Sequence, residues 1–368
     1  MKRRRVFISG RFLTQQTSGI QRYARQLVLT LDRNMNEADD IEWILVCPKG
    51  TVDSLLNELK VIRPLFIGSG RSHIWEQTYL AGAASSGVLL SLCNSGPLLH
   101  RWQLVVIHDA AVFRAPKQFG LLYRLFHSTL GMLLSRSACI ATVSEFSRSE
   151  LADVLRISKS SIAVIPNGGA HLSGIKPDDA VYDRLGLGDR PYFLTVGNQS
   201  RNKNIGLAIE AFMRVPERFR AALVVVGAGV IGVFGDVNWM EVPGVVFAGR
   251  RTDAELAALY KGATALIFPS FYEGFGIPPL EALELGCPVL ASTAPALVEV
   301  CGDSAYYFEP HDDSALCELM ITRLQDVAPR PDIQEAGRVR AGKYSWDRSA
   351  VLLKESANDL LDRFQAEI

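Results

Sequence analysis

Pro269-Ser270-Phe271-Tyr272-Glu273-Gly274-Phe275-Gly276-Ile277-Pro278-Pro279-Leu280-Glu281-Ala282-Leu283 is the stretch on which the reading of this chain turns. A buried strand-like run, Ala265–Phe268, ends at Pro269. A loop with two glycines follows, and a helix begins near the two prolines. Proline suits a first helical turn because its φ is fixed and the N–H it lacks is one the turn leaves unpaired. Gly274 and Gly276 let backbone amides approach a ligand closely. A helix N-terminus adds a positive dipole end that suits a phosphate. Glu273 and Glu281 stand eight positions apart on either side of the turn, where carboxylates can accept hydrogen bonds from ligand hydroxyls. A bare Gly-x-Gly reads as an ordinary turn with solvated neighbours; two prolines and flanking carboxylates argue for a ligand loop.

Outward from this stretch the alternation repeats. Strands are expected at Tyr192–Val196, Ala222–Val226, Val245–Phe247, Ala265–Phe268 and Val289–Ala291, with helices near Ile205–Met213, Asp253–Tyr260 and Pro279–Leu285. Towards the N-terminus, strands are expected at Val6–Ser9, Trp43–Cys47, Leu104–His108, Ile140–Val143 and Ile162–Ile165. Helical patterns there cover Ile20–Leu31 and Phe119–Leu134, and Ser147-Arg148-Ser149-Glu150 reads as a capping box. Apolar strands separated by helices imply parallel sheets covered on both faces. The Gly- and Asp-rich stretch Asn167–Pro191 reads as an interdomain linker. The expected fold is α/β: two Rossmann-like, doubly wound domains facing across a cleft. Residues 1–168 form the first, 169–345 the second, and a tail helix in 346–368 crosses back to the first. Ligands of such sheets bind beyond the carboxyl ends of the strands.

The 368 residues suit about two domains. With 48% hydrophobic and 21% charged residues the chain is neither disordered nor fibrous. Its 39 Lys and Arg balance 39 Asp and Glu, which argues against a basic coat for nucleic acid, so no nucleic-acid partner is expected. The balance hides an asymmetry. Residues 1–168 hold 20 basic and 12 acidic residues, and residues 169–368 hold 19 and 27. The first half therefore carries +8 and the second −8, which suggests different partners. Six cysteines without a C-x-x-C pair read as reduced thiols. Met1-Lys2-Arg3-Arg4-Arg5 lacks the long apolar run of a signal peptide after it. The chain is expected to be cytoplasmic, with peripheral contact between its basic half and an anionic membrane, the inner face of the cytoplasmic membrane. The mostly apolar pattern Phe119–Leu134, flanked by Lys117, Arg124 and Arg136, is read as a core helix in preference to a membrane-surface one.

The motifs together resemble the retaining glycosyltransferases of family 4 (group 1 glycosyltransferases). The Glu273-x7-Glu281 spacing with Gly-Phe-Gly-Ile-Pro between is similar to that family's signature. Gly19-Ile20-Gln21-Arg22-Tyr23, Ile107-His108-Asp109, Thr142-Val143-Ser144-Glu145-Phe146-Ser147 and Ile165-Pro166-Asn167-Gly168 match further motifs in order. So do Gly249 with Asp253-x-Glu255-Leu256 and Leu259-Tyr260, Gly286-Cys287-Pro288-Val289 with Ala291-Ser292, and Tyr344-Ser345-Trp346. The resemblance implies the GT-B architecture, with residues 1–168 as the acceptor-binding domain and 169–345 as the nucleotide-sugar-binding domain, and transfer of a sugar from a nucleotide-diphosphate donor to a glycan or a polyprenyl-diphosphate-linked acceptor in polysaccharide (lipopolysaccharide-type) assembly. Mannosyl- and rhamnosyl-type members are the most similar, with mannose from GDP-mannose the favoured donor.

The resemblance also implies residue roles. Glu281 would bind the donor ribose, and Glu273 the donor sugar, with Gly274, Phe275, Gly276 and Ile277 beside it. Lys203 sits at the family's lysine for the diphosphate. Arg201 is shifted by one residue from the family's arginine, whose usual positions hold Asn198 and Asn202. Gly197 opens that loop, and the Leu280 region of the helix would add amides. Gly19 would leave room for the diphosphate, and His108 would touch the transferred sugar near its reacting carbon. The catalytic residues expected are thus His108, Glu273 and Lys203. No Asp-x-Asp and no His/Cys ligand spacing occurs, so no metal and no cofactor is expected. The other readings are a nucleotide-sugar epimerase on the same architecture, a non-catalytic sugar-binding protein and a pseudoenzyme scaffold.

Overall fold

In a computed structural model, residues 4–36, 40–115, 119–229, 239–326 and 331–367 are described. The chain divides into two units, Met1–Asn167 with Trp346–Ile368, and Gly168–Ser345. In the first unit the short β-branched runs form seven strands: β1 (Arg4–Ser9), β2 (Ile41–Pro48), β3 (Arg63–Ile67), β4 (Val88–Ser91), β5 (Gln103–Val106), β6 (Cys139–Thr142) and β7 (Ile162–Val164). They lie in the order β3-β2-β1-β4-β5-β6-β7, and every pairing is parallel. In the second unit, β8 (Tyr192–Val196), β9 (Ala222–Val226), β10 (Val245–Gly249), β11 (Ala265–Phe268), β12 (Val289–Ser292) and β13 (Tyr306–Phe308) lie in the order β10-β9-β8-β11-β12-β13, again all parallel. Central strands such as β4, β9 and β11 are buried along their whole length. Burial on both faces leaves no alternation of apolar and polar residues, so they read as continuous apolar runs.

Each sheet has one topological switch point. In the first unit the chain leaves β1 for β2 and β3 on one side and returns to β4 on the other. In the second it leaves β8 for β9 and β10 and returns to β11. In open parallel sheets such places are where ligands bind.

Several expectations need correction. β3, β4 and β13 were not anticipated. β3 is a sheet-edge strand with exposed side chains, and β4 is a four-residue run between glycine and serines, too short for a period. The Asn167–Pro191 stretch is no free linker, since Leu172, Val181 and Leu187 are fully buried. Ser147 does not cap a helix. The helix runs Glu145–Leu155 with Ser144 as its cap, accepting from the Ser147 N–H at 2.9 Å. Ser147 instead donates its hydroxyl to the carbonyl of His108 at 3.1 Å.

The Leu121–Ser137 helix is not a core helix. Only Leu130, Gly131 and Leu134 are buried. Leu121, Leu122, Leu125, Met132 and Leu133 are exposed, Leu122 by 84%. At 100° per residue these five fall within one third of the helix circumference, opposite the buried positions. Of the basic residues noted in the sequence, Lys2, Arg3 and Lys117 lie outside the described residues.

The tail helix Trp346–Ala366 belongs to the first unit. It buries Trp346, Ser349, Ala350, Leu353, Ala357, Leu360 and Leu361, a stripe at helical spacing. Trp346 lies 6.1 Å from the Tyr23 ring, and Ser349 donates to the carbonyl of Pro166 at 2.7 Å.

Gly227, at the end of β9, has φ +143°, and a Cβ there would stand 1.7 Å from the carbonyl oxygen of Gly197. The loop after β8 therefore rests directly on glycine backbone. Gly227→Ala is expected to destabilise the second unit by about 2 kcal/mol or more, lowering its melting temperature by roughly 4–8 °C; an unchanged melt would show that the loop yields freely.

Candidate functional site

The stretch that opened the reading lies at the switch point of the second sheet. The loop after β8 and the loop after β11 are stitched together by backbone and amides. Phe271 donates its N–H to the carbonyl of Asn202 at 2.8 Å, and the Asn202 amide reaches the carbonyl of Tyr272 at 3.4 Å. Asn204, at φ +52°, donates its side-chain amide to the carbonyls of Pro269 at 3.1 Å and Pro310 at 2.7 Å. Asparagine tolerates this left-handed conformation better than most residues. Across the stitched loops Lys203 Nζ meets Glu273 Oε1 at 2.6 Å, with both side chains mostly buried. The Lys203 ammonium also lies 5.1 Å from the Phe268 ring, and its stem packs under Gly197. A cation and a carboxylate are thus held side by side at the carboxyl ends of β8 and β11. The pair can present positive charge to a phosphate and acceptor oxygens to hydroxyls.

Gly276 caps the Ile277–Glu284 helix at φ +109°, and a Cβ there would meet Leu297 at 2.7 Å. The anion-binding capacity of this helix start is narrower than expected. Pro278 and Pro279 have no N–H, and the Leu280 N–H is directed at the carbonyl of Gly276 at 3.4 Å. Ile277 alone supplies a first-turn donor. The Leu280 side chain serves packing instead, since a Cβ on Gly169 would approach it to 2.9 Å. Phe275 is buried edge-on to Tyr344, with ring centres 5.3 Å apart. Arg201 is exposed on the same loop as Lys203.

Glu281 is only 3% exposed. Tyr260 donates its hydroxyl to Glu281 Oε2 at 2.7 Å, and His171 Nε2 lies 2.9 Å from Oε1. Each oxygen thus has a neighbour that fixes the carboxylate in place. His171 was missed in the sequence reading, because it sits in a glycine-rich stretch taken for a linker. Tyr260 entered as part of a helix pattern and, with Leu259, of a motif of the resemblance, with no role attached. Neither residue signals its place beside Glu281 locally: that partnership exists only through packing.

His108 and Gly19 belong to the first unit. Gly19 opens the Gly19–Arg33 helix behind a capping box of Ser18 and Gln21, in an exposed turn. His108 follows β5 and is 6% exposed. Its N–H donates to the Asn94 side chain at 2.8 Å, and its ring stands edge-on to Tyr23 at 4.8 Å. Nε2 faces the carbonyl oxygen of Leu92 at 2.9 Å. A carbonyl only accepts, so Nε2 carries the proton and Nδ1 is the accepting nitrogen of a neutral ring. Burial pushes this histidine down to about 4, against a smaller opposing effect of the Leu92 carbonyl.

A neutral buried histidine has a consequence for stability. The unfolded chain takes up the proton near 6.5 and the folded chain only near 4. The contribution is complete above pH 6.5 and is lost as pH falls towards 4, roughly 3 kcal/mol in all. Chemical denaturation between pH 7.5 and 4 is expected to show this loss, and His108→Gln to flatten it. Equal slopes in both proteins would mean the ring titrates normally.

Residues 190–326 match the family description "Glycosyl transferases group 1". The chain is 30% identical over 268 residues to O-antigen chain mannosyltransferase B of Escherichia coli, covering 68% of this chain and 69% of that one. It is 30% identical over 256 residues to O-antigen chain mannosyltransferase RfbU of Salmonella typhimurium, covering 68% and 67%. Anabaena HepE, solved in complex with UDP and glucose, superposes with a TM-score of 0.74 at 15% identity, covering 97% of this chain and 100% of that one. Both units have the parallel-sheet, Rossmann-like form of the GT-B glycosyltransferases. The chain belongs to the group 1 glycosyltransferase family.

Proposed function

We propose that the protein is a retaining, metal-independent hexosyltransferase. It moves mannose from GDP-mannose to a glycan, carried on a polyprenyl diphosphate, in O-antigen-type polysaccharide assembly. The observation that carries the reading is the Lys203–Glu273 pair, 2.6 Å apart at the switch point of the second sheet. The donor diphosphate gains negative charge as the bond to the sugar breaks. Lys203, with Arg201 on the same loop, stabilises that charge electrostatically, the role a metal ion fills elsewhere. Glu273 then accepts from sugar hydroxyls beside Gly274–Ile277. Glu281, held in place by Tyr260 and His171, accepts from the ribose hydroxyls. His108, neutral and with Nδ1 as acceptor, orients a hydroxyl of the transferred sugar and supplies no proton. The mannose and O-antigen parts of the reading rest on the printed activities of the two 30% identical relatives.

The membrane part of the reading rests on the Leu121–Ser137 helix. Its five-residue apolar face is exposed, and the helix carries Arg124 and Arg136 with no acidic residue. Apolar area with positive charge fits the headgroup region of an anionic bilayer, where each basic residue contributes about 1 kcal/mol. Among the described residues no helix is long and apolar enough to cross a membrane.

Thermal-shift screening against GDP-, UDP-, ADP- and dTDP-sugars is expected to select GDP-mannose. Lys203→Ala is expected to lower kcat/KM at least 100-fold, roughly the loss of a transition-state charge contact, and Glu281→Ala to lower it by weakening binding of the donor's ribose. The product should keep the donor's anomeric configuration by NMR, and turnover should persist in EDTA. Loss in EDTA that Mn or Mg restores sinks metal independence, and wild-type turnover by both variants sinks the site. Leu122→Glu with Leu125→Glu is expected to weaken co-sedimentation with vesicles rich in phosphatidylglycerol; sedimentation indifferent to lipid charge and salt removes the membrane reading.

A further inference from the structure

The backbone around His108 is pinned from three sides. Its N–H donates to Asn94, and its carbonyl accepts from the Ser147 hydroxyl at 3.1 Å. The carbonyl of Ile107, one position earlier, accepts from Thr142 Oγ1 at 2.7 Å. The ring is held differently. Nε2 is tied to the Leu92 carbonyl at 2.9 Å, and a ring tied at one nitrogen can still tilt about that bond. What stands against the tilt is Tyr23. The two rings are 4.8 Å apart with their planes at 85°, the edge-to-face arrangement that aromatic pairs prefer.

Tyr23 is fully buried on the inner side of the Gly19–Arg33 helix, with Ala24, Leu27 and Val28. Burial raises its phenol well above the ordinary value, so the group keeps its proton and donates to the Ile165 carbonyl at 3.1 Å. The next carbonyl, that of Pro166, accepts from Ser349 of the tail helix. Trp346, the first residue of that helix, lies beside the Tyr23 ring at 6.1 Å. The chain leaves the first unit after Asn167 and re-enters it at Trp346. Tyr23 therefore touches His108 on one side and, on the other, both places where the chain passes out of its unit and back. The resemblance carried Tyr23 as the end of the Gly-Ile-Gln-Arg-Tyr motif and gave it no role.

We infer that Tyr23 is the positioning residue of His108: its ring sets the tilt that aims Nδ1 at a hydroxyl of the transferred sugar, and its hydrogen bond to Ile165 locks that ring to the segment by which the chain leaves the first unit. The role rests on the reading that His108 touches the sugar. Tyr23 touches no substrate and acts through the imidazole. A reacting group displaced by about 1 Å loses on the order of 100-fold in rate, so a ring free to tilt is costly.

The test is a double-mutant cycle in the full chain. Tyr23→Leu is expected to lower kcat about 100-fold with KM for GDP-mannose unchanged. Tyr23→Phe keeps the ring and loses only the bond to Ile165, and should cost about five- to tenfold, the value of one hydrogen bond. In a His108→Ala background neither substitution should cost anything further, because residues that act through one another are not additive. Tyr23→Phe carries the cycle if Tyr23→Leu fails to fold. Additive losses, or wild-type turnover by a folded Tyr23→Leu, overturn the role. A second readout needs no donor: the imidazole nitrogens of His108 in 15N-histidine-labelled protein, assigned by their loss in His108→Ala. The wild type should show the Nε2–H tautomer alone, and Tyr23→Leu, or in smaller measure Tyr23→Phe, should add the other. An unchanged tautomer in both variants overturns the positioning itself. Failure of the underlying reading would appear separately, as wild-type turnover by His108→Ala beside a tautomer that still responds to Tyr23.

Discussion

The contact between Lys203 and Glu273 depends on three backbone agreements at once. Gly227 must lack a Cβ so that the loop after β8 can lie on it. Asn204 must hold a left-handed turn and tie that loop to Pro269 and Pro310. Asn202 must bond the backbone around Phe271 and Tyr272. A charge pair mostly removed from water is stabilising only when geometry is good, because desolvation opposes the attraction. The parallel sheet supplies that geometry. Adjacent parallel strands β8 and β11 aim their carboxyl ends the same way, which brings the loops that follow them side by side.

The first unit repeats the arrangement with different residues. Arg11, Glu76 and Ser95 hold the β1–β4 switch point as Lys203 and Glu273 hold the other. The shared element is topological: in both units a basic residue follows the first strand of the sheet. The difference lies in what the carboxylate serves. Glu273 stands beside the cation that meets the phosphate, whereas Glu76 is buried and holds Arg11 and Ser95 in place. Glu281 shows the same economy, with Tyr260 and His171 fixing a carboxylate that is itself nearly inaccessible.

Much of the second unit was legible in the chain. The runs Tyr192–Val196, Ala222–Val226 and Ala265–Phe268 are strands over the residues expected, and the helix Ile205–Met213 likewise. Fully buried strands and amphipathic helices announce themselves locally. Edge strands such as β3 and β13 do not, because their partner on one side supplies the order that their own residues lack. The Leu121–Ser137 helix misled for the opposite reason. Its composition is that of a core helix, and composition does not say which side of it the fold will cover.

By itself the sequence determined the family, the alternation of strands and helices, and the residues Lys203, Glu273, Glu281 and His108 as a group worth attention. These are matters of order and spacing, which a linear chain records directly. The tertiary structure decided which of them meet. It joined Lys203 to Glu273 across 70 positions, and set His171 and Tyr260 on the two oxygens of Glu281. It also took the amide of Leu280 into its own helix, lowered the proton affinity of His108, and brought Arg11, Glu76 and His73 into one network. Burial and long-range hydrogen bonding are properties of neighbours in space, and no residue carries a record of those neighbours in its own identity.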